Sequence, residues 1–169
     1  MNFELMIETF PKLLSGLNLT MQLVTISLFI GFFLAIGLAL LRLSNNTFLS
    51  FFAKAYIFYF RGTPLLVQIF LFYYGIAQFE IIRESFVWSF FKEAYWCAIL
   101  ALTLNTCAYS SEIIRGGILS VPFGQIESAK SVGMSRFLLY RRIILPIAFR
   151  QALPAYGNEI ILMVKATSL

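Results

Sequence analysis

LNLTMQLVTISLFIGFFLAIGLALL, residues 17–41, is the stretch on which the reading of the fold turns. It holds 25 residues, and no charged side chain lies between Lys12 and Arg42. About 20 apolar residues suffice to cross the hydrocarbon core of a bilayer as a helix. The run therefore predicts a first membrane helix over 17–41. A cleaved signal peptide would need a basic start and a short apolar core; residues 1–8, MNFELMIE, are acidic instead. The helix is expected to remain in the protein.

The rest of the chain has the same character. The 169 residues are 60% hydrophobic and 12% charged, against about 45–50% and about 25% in soluble domains. A second apolar segment covers 55–76 and is interrupted by Arg61-Gly62-Thr63-Pro64, where the proline removes a backbone donor and should kink or restart the helix. A third covers 94–111, preceded by Phe86, Trp88, Phe90 and Phe91, an aromatic group suited to the headgroup interface on an outer lip. The fourth, 152–169, carries Glu159 and Lys165 and should sit inside a bundle, away from lipid. No repeat or flexible linker divides the chain, so 1–169 is read as one transmembrane domain.

Charge sets the orientation. Arg42, Lys54 and Arg61 follow the first helix, and Arg115, Lys130, Arg136, Arg141, Arg142 and Arg150 follow the third. Lys12, Arg83 and Lys92 fall on the alternate side, with Glu4, Glu8, Glu80, Glu84 and Glu93. Basic loops favour the cytoplasm, which places the N-terminus outside. The net charge of +5 is not interleaved with a polar aromatic face, so nucleic acid is not an expected partner. Histidine is absent. Cys97 and Cys107 stand ten residues apart, about 15 Å along a helix, too far to pair. Neither a metal site nor a Cys/His nucleophile has support, and with no paired carboxylates at helical spacing an intramembrane enzyme is only a minor reading, one that activity independent of ATP would revive.

The region 112–150 is too long for a plain connector and is patterned as short helices. After Pro122 and Gly124, residues 125–132 fit two turns ended by Gly133 in a left-handed stop. Ser135 then caps a helix over 136–145 that stops at Pro146 and could lie on the membrane surface, its arginines on anionic headgroups. Ser128, Ala129, Ser131 and Gly133 form a small-residue surface that another backbone can approach, and Glu127 either caps its own helix or accepts a hydrogen bond from a partner.

Glu127-Ser128-Ala129, three residues, Gly133, nine residues, then Ile143-Ile144-Leu145-Pro146 resembles the EAA loop of ABC importer permeases, with Ser128 where that pattern usually has alanine. Arg61-Gly62-Thr63-Pro64-Leu65-Leu66-Val67-Gln68, Glu112-Ile113-Ile114-Arg115-Gly116-Gly117-Ile118, Leu153-Pro154-Ala155-Tyr156-Gly157-Asn158-Glu159 and Lys165-Ala166-Thr167-Ser168-Leu169 are similar to the polar amino-acid branch, the histidine and glutamine permease type. The resemblance implies an all-α membrane protein, a type I ABC importer permease bundle of the MetI-like kind with a cytoplasmic coupling helix, in the bacterial cytoplasmic (inner) membrane. It also implies partners: ABC ATPase subunits, a second permease subunit, identical or homologous, and an extracytoplasmic solute-binding protein, all in a lipid bilayer. Glu127, Ser128, Ala129 and Gly133 would form the coupling helix seated on the ATPase. The sequence has no GxxxxGK[ST] loop, so ATP hydrolysis is expected on another chain, and no cofactor is expected in this one.

The family ordinarily continues past Lys165-Ala166-Thr167-Ser168-Leu169 into a final membrane helix, so this sequence reads as C-terminally incomplete. The alternative expectation is a truncated, non-transporting scaffold that still binds the ATPase. For the substrate pathway, Asn158 and Lys165 are seven apart and share a helix face, with Glu159 about 100° around. Glu159 either meets a cationic group of the substrate or pairs with an arginine of a neighbouring subunit. Gln68 either lines the pathway or, as the reading preferred here, bonds to a neighbouring helix. Arg61 reads as a membrane-boundary residue.

Overall fold

The computed structural model describes residues 3–167, with side chains for residues 10, 11 and 13–167. The side chains of Glu4, Glu8 and Lys12, and Ser168 and Leu169 altogether, lie outside the described residues. Among those described, every regular element is helical.

The first helix, α1 (Phe3–Leu43), overshoots the predicted 17–41 at both ends. Its apolar part, Leu13–Leu43, has 31 residues and a mean hydropathy of 2.6. That is about 46 Å of helix against roughly 30 Å of hydrocarbon, so α1 must tilt or protrude. One face is small: Ser27, Gly31, Ala35 and Ala39 are all buried. This face lies on α6 (Ala94–Leu119), the central helix, which also packs against α9 (Leu145–Ala166) and α2 (Thr47–Gly62). A methyl added at Gly31 would collide with Thr106 Cγ2 and sit 3.2 Å from the Thr103 carbonyl oxygen. At the other end of α6, a methyl on Gly117 would lie 2.6 Å from the backbone oxygen of Ala148 in α9. Without a hydrophobic drive between helices in lipid, close backbone approach of this kind is what holds a bundle together.

The second apolar segment is not one span over 55–76. Helix α2 begins eight residues earlier than expected, because Asn46 caps it with hydrogen bonds from the Phe48 and Leu49 amides at 3.0 and 3.4 Å. It ends at Gly62, and α3 (Leu65–Phe70) leaves it to run through two irregular turns to Gln78. The two limbs meet at 105°, an elbow rather than the expected kink. Two short helices, α4 (Glu80–Arg83) and α5 (Trp88–Phe91), form the connection to α6. In the expected aromatic lip, Phe86 and Phe90 are exposed while Trp88 and Phe91 are half-buried.

Two further boundaries drawn from the sequence move. The third helix passes the predicted end at 111 and runs to Leu119. The charges there do not stop it: Glu112 accepts from Arg115 Nε and Nη2 at 2.9 and 2.7 Å one turn on, and lies 3.6 Å from Arg42 Nε at the end of α1. Nor does Pro146 end a helix. Residues from α8 (Arg136–Leu139) pass through a wide turn, Tyr140–Ile144, directly into α9, which thus starts at Leu145 and not at 152. In that turn the Leu145 amide donates to the Tyr140 carbonyl five residues back, and the widening gives the proline ring room. The segment 112–150 is therefore mostly helix, with α7 (Phe123–Ser131) folded beneath it.

By length and composition Leu13–Leu43 and Ala94–Leu119 can each cross a membrane, and the bent pair adds a third if it counts as one span. Helix α9, with Arg150, Glu159 and Lys165, is less apolar.

Candidate functional site

The elbow, α6 and α9 enclose a cavity of about 460 Å³. Arg61, Gly62, Thr63, Pro64 and Leu65 line one side of it; Leu102, Asn105, Thr106 and Tyr109 come from α6 and Glu159, Leu162, Met163 and Ala166 from α9. Both helical walls repeat at intervals of three, four and seven, the period of one helix face. Glu159 is buried, and its Oε1 accepts from the Thr106 hydroxyl at 3.4 Å. Arg61 is exposed, and its guanidinium carbon stands 5.0 Å from the centre of the Tyr109 ring, within reach of a cation–π attraction. A carboxylate and a guanidinium thus face one space, together with the amide of Asn105. Such a set can hold a small molecule that carries both signs of charge.

The elbow that presents Arg61 is held by side chains. In an unbroken helix the Phe60 carbonyl would accept from the amide of residue 64, but Pro64 has none. Gln68 Nε2 fills that place at 2.9 Å and Asn105 Nδ2 adds a second donor at 3.2 Å. Gln68 Nε2 also reaches the Thr63 carbonyl and hydroxyl at 3.1 and 2.7 Å, and its Oε1 accepts from Asn105 Nδ2 at 3.1 Å. In a membrane, where no water can replace these partners, freed carbonyls need them.

Of the four pathway residues named from the sequence, only Glu159 lines the cavity. Gln68 is 1% exposed and bonded within the elbow, off the wall. Asn158 and Lys165 are exposed on the neighbouring face of α9, one helical step from Glu159 and Ala166. Arg61, expected at the membrane boundary, lines the cavity, because the 105° turn swings the end of α2 toward α6. Asn105, Thr106 and Tyr109 escaped notice. Their signal was present as a polar stripe at helical spacing in an otherwise apolar segment.

The second feature is the α7 loop. Glu127 and Ser128 are exposed, and Ser128 donates its hydroxyl to the Gly124 carbonyl at 2.8 Å, so it presents a small surface. Ala129, expected on the small-residue surface open to a partner, is buried instead and packs with Val121, Leu139 and Ile144, which fixes α7 to α8 and the wide turn. Gly133 has φ of +75°, the left-handed stop that only glycine adopts without cost. A further groove of about 680 Å³, almost wholly apolar, runs between α1, α6 and α9 past Phe29, Phe32, Ile114, Phe149 and Leu153. Among the described residues no group of His, Cys, Asp and Glu could hold a metal ion.

Residues 27–169 match the family described as binding-protein-dependent transport system inner membrane component. The chain is 59% identical over 162 residues to the octopine transport system permease protein OccM of Rhizobium radiobacter, covering 96% of this chain and 66% of that protein. It is 58% identical to the nopaline transport system permease protein NocM of Agrobacterium fabrum, over 100% of this chain and 70% of that one. To the histidine/lysine/arginine/ornithine transport system permease protein HisM of Escherichia coli it is 48% identical, over 92% and 66%. A crystal structure of an amino acid ABC transporter with histidines superposes with a TM-score of 0.87 at 36% identity, over 99% of this chain and 74% of that one. The chain spans about two thirds of the length of the curated relatives it matches, 66 to 70%.

Proposed function

The chain belongs to the inner membrane components of binding-protein-dependent transport systems, and from that membership we propose that it is a permease subunit of an ATP-driven importer for a polar amino acid with a cationic group. The bundle has the all-α architecture of a type I ABC importer permease. In this reading α2 with α3 and α9 join α1 and α6 in the bacterial cytoplasmic membrane, with the N-terminus outside. A separate ATPase docks on α7 through Glu127, Ser128 and the turn at Gly133, with Ala129 seating α7 from within. A second permease subunit completes the pathway, and an extracytoplasmic binding protein delivers the substrate.

One observation carries the substrate class: the buried Glu159 carboxylate in a cavity that also holds Arg61. A buried carboxylate attracts an ammonium or guanidinium strongly, since water does not screen the pair. The Escherichia coli relative, a histidine/lysine/arginine/ornithine transport system permease protein, agrees with that charge.

The test is transport by the assembled complex in proteoliposomes, with the binding protein supplied outside and radiolabelled L-arginine, L-lysine or L-glutamine as substrate. Uptake of the two basic amino acids that depends on ATP and exceeds glutamine uptake at least tenfold is expected. Preference for glutamine would remove the role of Glu159, and a complex that elutes without an ATPase would remove the importer reading.

A further inference from the structure

The elbow has a feature that a simple proline break does not require. Once Pro64 frees the Phe60 carbonyl, one local donor would satisfy it, and Gln68 supplies that donor at 2.9 Å. The molecule adds a second from a different helix. Asn105 Nδ2 reaches both the Phe60 carbonyl at 3.2 Å and Gln68 Oε1 at 3.1 Å, so α6 grips the carbonyl and the glutamine that fills it. Gln68 is sealed from the cavity at 1% exposure, whereas Asn105 is part of the cavity wall. Thr63, which accepts from Gln68, and Asn105 both line the cavity and belong to this network, and of the two Asn105 is the one that reaches the bend from a different helix.

We propose that Gln68 and Asn105 are positioning residues for the cavity: together they lock the elbow so that Arg61 and Thr63 face Glu159, and through Asn105 the lock registers whether the cavity is filled. The proposal rests on the reading of that cavity as an amino-acid site. A side-chain amide suits the task. Its donors replace the lost backbone amide in direction and polarity, yet unlike a backbone bond they can be released without unwinding a helix. A ligand that draws on Asn105 weakens its hold on Gln68 and loosens the junction of α2 and α3.

The experiment uses the full chain in lipid nanodiscs, with L-arginine as probe. Spin labels at Phe58→Cys and Phe70→Cys, exposed positions on either side of the elbow, report its angle by pulsed dipolar spectroscopy; native Cys97 and Cys107 are buried. In the otherwise unaltered protein a narrow distance distribution is expected, broadened when L-arginine binds. Gln68→Met, nearly isosteric and without donors, should give a broad distribution with or without L-arginine and bind it at least tenfold more weakly. Should Gln68→Met fail to fold, Asn105→Ala leaves the bonds from Gln68 to Thr63 in place and should broaden the distribution less while abolishing its response to L-arginine. A narrow distribution in these variants, or a broad one with unchanged affinity, overturns the positioning role. Failure of the site reading looks different: Glu159→Gln would then bind L-arginine as tightly as the parent, whatever the elbow does. A residue that only stabilised the fold would lower the melting temperature without altering the response to L-arginine, and that result also overturns the proposal.

Discussion

Two glycines on α6 show how finely the helix contacts are set. At Gly117 an added methyl meets the Ala148 backbone oxygen at 2.6 Å, and backbone cannot swing aside as a side chain can. Its neighbour Gly116 has open space. Gly117→Ala should destabilise the protein by about 1–3 kcal/mol through overpacking, while Gly116→Ala should stabilise it by up to about 1 kcal/mol from helix propensity alone. Thermal unfolding in one detergent decides this, and a common sign for both would refute the contact. At Glu159 the question is function. Glu159→Gln keeps an oxygen for the Thr106 hydroxyl but removes the charge, so folding should survive. A hydrogen bond to a charged group is worth about 1.5–3 kcal/mol, so the KM for L-arginine in the reconstituted importer should rise roughly 10- to 150-fold. An unchanged KM would place the cationic group elsewhere. The sequence announced Glu159, since a carboxylate in an apolar helix is conspicuous. It did not announce that Arg61 shares its cavity, because that depends on an angle between two helices and not on any local pattern.

Single elements were legible where composition alone decides them. Residues 17–41 had to be a helix, and Pro64 had to break one. The size of the bend was hidden because its lock includes Asn105, from another helix. Helix α6 was cut short in the reading for a similar reason: Glu112 and Arg115 look like an exit from the membrane until Arg42 is seen beside them. Pro146 misled because the turn that accommodates it, Tyr140–Ile144, is wider than an ordinary helical turn and has no strong sequence mark. The α7 loop was read well at Gly133 and Ser135, whose backbone roles are local. Its buried Ala129 cements α7 to the following helix, so Glu127 and Ser128 can be altered without disturbing the fold. Glu127→Lys should therefore leave the melting temperature within about 1–2 °C, as surface changes do, and reduce uptake at least tenfold while the ATPase still turns over ATP. Full uptake by that variant would detach Glu127 from coupling.

The whole molecule shows what a bundle without its surroundings looks like: Phe29, Phe33, Leu40, Phe51 and Phe58 all stand more than half exposed along its outside. In water this would be an aggregation surface; against lipid chains and further helices it is ordinary. The proposed orientation in that lipid rests on the arginines between α6 and α9. With Cys97 and Cys107 buried, single thiols at Phe86→Cys and Ser128→Cys can be labelled selectively. A membrane-impermeant maleimide added to intact spheroplasts should modify the first and spare the second. The opposite pattern would invert the proposed topology. The elbow also sets an order of assembly during biogenesis. Helix α2 has 16 residues, about 24 Å, too short to cross the hydrocarbon layer unaided. In the proposed topology α2 would leave the ribosome with Gln68 close behind it, whereas Asn105 follows Gln68 by 37 residues. The lock on the elbow would then be complete only once the nascent chain has delivered α6.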